Sequence, residues 1–109
     1  MSETTLQKRT EPDTRFRIVP KVDVYENDDE YLVIADVPGV TQDALNVSFA
    51  RGELTLEGTN GDRVYRRAFT VPDGIDGTSI GAEMVNGVLS VHLPKAPEVK
   101  PRRIQVRAG

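Results

Sequence analysis

The sequence has no cysteine, no tryptophan and a single histidine. Without cysteine there is no disulfide, no thiolate zinc site and no cysteine nucleophile. One imidazole does not supply a zinc site built on several histidines. No apolar run approaches the roughly 20 residues that a membrane-spanning helix needs, so no membrane association is expected. The opening stretch MSETTLQKRTEPDTRFR mixes both charge signs without an apolar segment. It does not resemble a secretory leader, and the expected location is cytoplasmic. A surplus of positive charge is also missing: 14 Lys and Arg stand against 17 Asp and Glu, a net charge of −3. That balance argues against nucleic acid as a partner. The nine glycines never fall into G-x-x-x-x-G-K or G-x-G-x-x-G, so no nucleotide site and no cofactor are expected. A chain of 109 residues is long enough for one domain and too short for two.

What is present divides into three parts. Residues 1–19 form a charged arm in which Leu6, Phe16, Ile18 and Val19 are the sparse apolar positions. Such a segment buries too little surface to offset its ordering entropy by itself. Residues 20–94 carry short apolar or alternating runs separated by turn residues. Residues 95–109 contain Pro97 and Pro101, which favour extended backbone over helix.

Within the middle part, Val22–Tyr25 is followed by the polar turn Asn27-Asp28-Asp29, and Tyr31–Val37 is apolar on both faces. Leu45, Val47 and Phe49 alternate with polar residues, Arg51-Gly52 turns the chain, and Leu54 and Leu56 alternate again. Gly58–Asp62 reads as a polar loop and Val64–Val71 as a further strand closed by Pro72-Asp73-Gly74. Ile80, Ala82 and Met84 alternate; Asn86-Gly87 then signals a type I′ hairpin that sends Leu89, Val91 and Leu93 inward. No window gives a helical stripe. Seven to eight short antiparallel strands at this spacing predict an all-β sandwich.

The sequence places no set of side chains for catalytic chemistry, and no enzyme is expected. His92 falls at an outward strand position and reads as a solvated side chain. Asn27-Asp28-Asp29-Glu30 lacks the spaced ligands and glycine of a calcium loop, so it reads as a hairpin turn. Asn46-Val47-Ser48 matches a glycosylation sequon that has no meaning without a leader. Arg63, Arg66 and Arg67 form a basic cluster on one strand, as a solvated face or as an interface.

Six stretches, in order, carry a family resemblance. They are Pro20-Lys21-Val22-Asp23-Val24-Tyr25-Glu26, Ala35-Asp36-Val37-Pro38-Gly39-Val40, Gly52-Glu53-Leu54-Thr55-Leu56-Glu57-Gly58, Arg67-Ala68-Phe69-Thr70-Val71-Pro72, Ile80–Leu89 and Ile104-Gln105-Val106. Together they resemble the α-crystallin domain of small heat-shock proteins, of a short-armed bacterial type. The most specific piece, I-G-A-E-M-V-N-G-V-L, is similar to the family's I-x-A-x-x-x-N-G-V-L.

The resemblance implies an immunoglobulin-like antiparallel sandwich over 20–94. It also implies an ATP-independent holdase that binds partly unfolded client proteins and passes them to ATP-driven chaperones. Ile104 and Val106 become the tail anchor, expected to dock into a neighbouring subunit's groove lined by Leu45, Val47, Phe49, Ile80, Ala82 and Met84. Phe16, Ile18 and Val19 become the arm's client contacts. The implied partners are non-native proteins and further copies of the chain, as a dimer or larger homo-oligomer. Two alternatives belong to other classes: a specialised subunit co-assembling with a longer paralogue, and a co-chaperone or scaffold sandwich.

The stretch between Gly58 and Arg67 departs from the bacterial pattern. Thr59 to Arg63 reach at most about 18 Å, too little for an excursion to a partner's sheet and back. If a dimer forms, it is expected to pair the exposed strand edge of Val64–Val71 with its two-fold mate, through Val64, Tyr65, Arg66, Arg67 and Phe69; the alternative is a dimer held by the arm and tail alone.

Overall fold

Alternating runs this short, broken by glycine and proline, form strands because each has one face to bury and no length over which to wind a helix. A computed structural model describes residues 15–101 and 104–108. Among these residues the strands are β1 (Phe16–Ile18), β2 (Val22–Glu26), β3 (Glu30–Asp36), β4 (Leu45–Ala50), β5 (Glu53–Asn60), β6 (Arg63–Thr70), β7 (Gly81–Val85) and β8 (Val88–Pro94). They make two four-stranded sheets, ordered β1-β6-β5-β4 and β2-β3-β8-β7. All pairings are antiparallel except β1 with β6. The expected all-β sandwich is the observed fold.

The core lies between the sheets. Register sets Val33 opposite Val91 and Ala35 opposite Leu89 on one inner face. Leu54 and Leu56 of β5 supply the other, and all six are at most 1% exposed. Leu89, Val91 and Leu93 point inward as their alternation predicts. Among the described residues no polar or charged residue is buried.

Three two-residue hairpins set the registers. Asn86 and Gly87 have φ of 51° and 77°, the left-handed pair that a type I′ turn needs. Arg51 and Gly52, at 54° and 78°, repeat that geometry between β4 and β5. Between β5 and β6 the expected polar loop shrinks to Gly61-Asp62, with φ of 61° at Gly61. Thr59 and Asn60 continue β5 and pair with Val64 and Arg63. Gly58 is not a loop breaker: a Cβ there would sit 2.9 Å from Val40 Cγ1, so the strand needs glycine for close packing. At the other end, Asn27 Oδ1 accepts from the Asp29 and Glu30 amides at 2.8 and 2.9 Å, closing the expected turn.

Two segments differ from expectation. The arm contributes β1, which pairs in parallel with Arg63–Tyr65. Its Phe16 N–H donates to the Asp62 carbonyl at 2.6 Å. The arm's residues 1–14 lie outside the described residues. In the tail, Pro97–Val99 form one 3₁₀ turn rather than extended chain. Proline's fixed φ suits the first position of such a turn, where its missing N–H costs nothing.

Candidate functional site: the groove between β4 and β7

β4 and β7 are edge strands of opposite sheets. Alternation turns Leu45, Val47 and Phe49 of β4 toward the interior and leaves Asn46, Ser48 and Ala50 exposed. On β7 the register with β8 turns Ala82 and Met84 inward, opposite Val91 and Leu89. Between the two edges lies a groove of about 440 Å³, lined by Gln42, Leu45, Val47, Ala82, Glu83, Met84 and Leu89. Asp76 helps position β7. Its carboxylate accepts from the Thr78 amide and from the hydroxyls of Thr78 and Ser79 at 3.1, 2.7 and 2.9 Å. These bonds cap the 3₁₀ turn Gly77–Ser79, and the hydroxyls of Thr78 and Ser79 hold the Asp76 carboxyl below its ordinary range.

Four of the six expected groove residues, Leu45, Val47, Ala82 and Met84, line this groove together. Phe49 and Ile80 do not; they pack against the core, Phe49 within contact of where a Gly77 side chain would begin. The sequence did not mark Gln42, Glu83 or Leu89 as lining residues. Leu89 carried only a core signal, and the two polar rim residues fall outside any apolar period. The anchor residues are not in the groove of their own chain: Ile104 is 83% exposed and Val106 89%.

The expected dimer edge is already part-occupied. Val64 and Tyr65 are buried, and β1 covers the edge from Arg63 to Tyr65. The basic cluster divides between faces. Arg66 is exposed opposite Glu57. Arg67 lies on the inner side, where its Nη1 donates to the Pro20 carbonyl at 3.4 Å and its guanidinium sits 5.8 Å from the Phe69 ring centroid. Beside them Phe69, Val24, Tyr31 and Pro72 help line an apolar notch of about 160 Å³ between β2 and β6. Of the arm contacts, Phe16 and Val19 are exposed and Ile18 packs on the core.

His92 is not merely solvated. Its Nδ1 lies 3.2 and 3.1 Å from the two carboxylate oxygens of Glu30. Lys95, just past β8, donates to Glu26 Oε2 at 2.7 Å and lies over the Tyr31 ring. That bond raises the Lys95 ammonium's pKa and lowers that of the Glu26 carboxyl. Among the described residues no group of three or more His, Asp or Glu is placed to hold a metal. No helix there is long and apolar enough to cross a membrane.

A family model described as the Hsp20/alpha crystallin family matches residues 23–107. Spore protein SP21 of Stigmatella aurantiaca is 36% identical over 107 residues, covering 84% of this chain and 63% of SP21. The chain thus spans a little under two thirds of that relative. The 18 kDa heat shock protein of Clostridium acetobutylicum is 35% identical over 79% of this chain and 70% of its own length. Among solved structures, a small heat-shock protein from Xylella fastidiosa superposes with a TM-score of 0.67 at 30% identity, covering 83% of this chain and 97% of that one. Heat shock protein 16.0 from Schizosaccharomyces pombe gives the same TM-score at 29% identity, over 84% of this chain and 99% of that one.

Proposed function

Because this chain belongs to the Hsp20/alpha crystallin family, a family of chaperones rather than enzymes, we propose that it is an ATP-independent holdase of the cytoplasm. It binds partly unfolded proteins, keeps them from aggregating and leaves their refolding to ATP-driven chaperones. Binding the non-native state competes with aggregation by mass action and needs no bond-breaking chemistry.

The observation that supports this most is the separation of groove and anchor. A groove of about 440 Å³ that offers Leu45, Val47, Met84 and Leu89 beside the polar Gln42 and Glu83 stands open between two edge strands, while the chain's own Ile104 and Val106 remain in solvent. An I-x-V segment places both branched side chains on one side of extended backbone, the shape such a groove accepts. Burying the two contributes roughly 3–6 kcal/mol before entropic costs. Those costs leave one anchor weak, so only several anchors in a homo-oligomer hold together. Reversible assembly of this kind lets apolar surface be covered at rest and exposed on demand.

The test is light scattering from a heat-labile client without nucleotide. Scattering should fall as the chain approaches stoichiometric amounts. A need for ATP, or no protection at several-fold molar excess, overturns the proposal.

A further inference from the structure

Counted within their strands the two sheets carry opposite charge, and Lys21 and Lys95 flank the acidic one. Strands β2, β3, β7 and β8 contain Asp23, Glu26, Glu30, Asp36 and Glu83 and not one Lys or Arg. Strands β1, β4, β5 and β6 contain Arg17, Arg63, Arg66 and Arg67 against Glu53 and Glu57. The outer face of the acidic sheet also carries an apolar stripe, bordered on β8 by Ser90 and His92. Since Val33, Ala35, Leu89 and Val91 point inward, Leu32, Ile34 and Val88 point outward, with Tyr25 next to Leu32 across the β2–β3 pair. Tyr25 is 55% exposed and Val88 38%. Asp23, opposite Ile34, and Asp36, opposite Val88, border this stripe and are exposed. At its β2 end lies a recess of about 260 Å³ lined by Tyr25, Glu26, Asn27, Glu30 and Leu32.

We propose that the outer face of the β2-β3-β8-β7 sheet docks a cationic, extended segment of a client polypeptide. The segment's apolar side chains lie on Leu32, Ile34 and Val88, and its Lys or Arg side chains face Asp23 and Asp36. The recess takes a Lys or Arg stem against Tyr25 and Leu32, the way long basic side chains cover apolar surface, and its head shares Glu30 with His92 and Glu26 with Lys95. Complementary charge selects and steers the segment, and apolar burial retains it. This deepens the holdase reading, on which it rests, by naming the chemistry of client the chain prefers.

The probe is a fluorescent peptide of about ten residues alternating Arg and Val, compared with peptides alternating Glu and Val or Arg and Ser. Anisotropy should show the Arg–Val peptide binding at least about tenfold tighter than either, and weakening as salt rises to about 0.5 M. The pair Asp23→Asn, Asp36→Asn should weaken it at least about fivefold. The pair Glu53→Gln, Glu57→Gln makes the same change in net charge on the other sheet and should leave binding within about twofold. Equal affinity for the Arg–Val and Glu–Val peptides, or equal loss in both pairs of variants, overturns the proposal. So does loss of binding in Ala82→Leu, which fills the β4–β7 groove and would place the probe there. If the peptide fails to bind while client scattering is still suppressed, this surface falls and the holdase stands. If the peptide binds as expected while scattering is not suppressed, the holdase falls and the surface stands.

Discussion

Gly87 meets two demands at one residue. Its φ is 77°, and a Cβ there would come within 3.1 Å of Pro38 Cα, which is backbone and cannot rotate away. Its carbonyl also accepts from the Val37 N–H at 2.8 Å, tying the last hairpin to the end of β3. Gly61 meets only the first demand: its φ is 61° and nothing lies within 4 Å of its missing side chain. The two positions therefore separate backbone strain from close approach. Gly61→Ala should cost about 1 kcal/mol, the left-handed penalty alone. Gly87→Ala should cost about 2 kcal/mol and Gly87→Val more, lowering the thermal midpoint by roughly 8 °C or beyond for a domain of this size. Thermal unfolding of the three variants checks this. Equal midpoints for the two alanine variants would show that the approach to Pro38 is of no consequence.

The hairpins were legible because a turn's chemistry is local: Arg51-Gly52 and Asn86-Gly87 state their geometry in two residues. Gly58 was misread because a glycine that breaks a strand and one that lets Val40 and Leu45 press against a strand look the same in one dimension. Pairings between distant elements leave no local mark. Nothing around Phe16 announces Arg63, and His92 is 62 residues from the Glu30 that meets it. The groove was legible in part, because the alternation of β4 and β7 fixes which side chains face it. That alternation supports a prediction about the tail as an element. Ile104→Ala with Val106→Ala should shrink the assembly while leaving the domain folded. Ala82→Leu, an exposed position on β7 that fills the groove, should do the same from the other side. Light scattering for size and circular dichroism for fold decide together; unchanged size in both variants removes the anchor from the assembly.

At the scale of the whole molecule, β1 narrows how copies can meet. Since Phe16 N–H donates to the Asp62 carbonyl, alternate residues Val64, Arg66 and Ala68 turn their amides to the same edge. β1 ends opposite Tyr65, so the stretch from Arg66 to Thr70 is what remains for a two-fold mate. Ala68→Pro removes one donor from that stretch while sparing the bonds to β5. Sedimentation of the tail-trimmed variant should show a dimer weakened at least about tenfold against the equally trimmed parent. A dimer of the parent's strength would place the interface elsewhere. Because no polar or charged residue is buried among those described, cohesion rests almost wholly on the removal of apolar surface from water. That driving force carries a large heat-capacity change and weakens on cooling, so the stability curve of this sandwich bends downward toward the cold. Moderate warming, which loosens many other folded proteins, is the direction in which the force closing this chain's own two sheets grows.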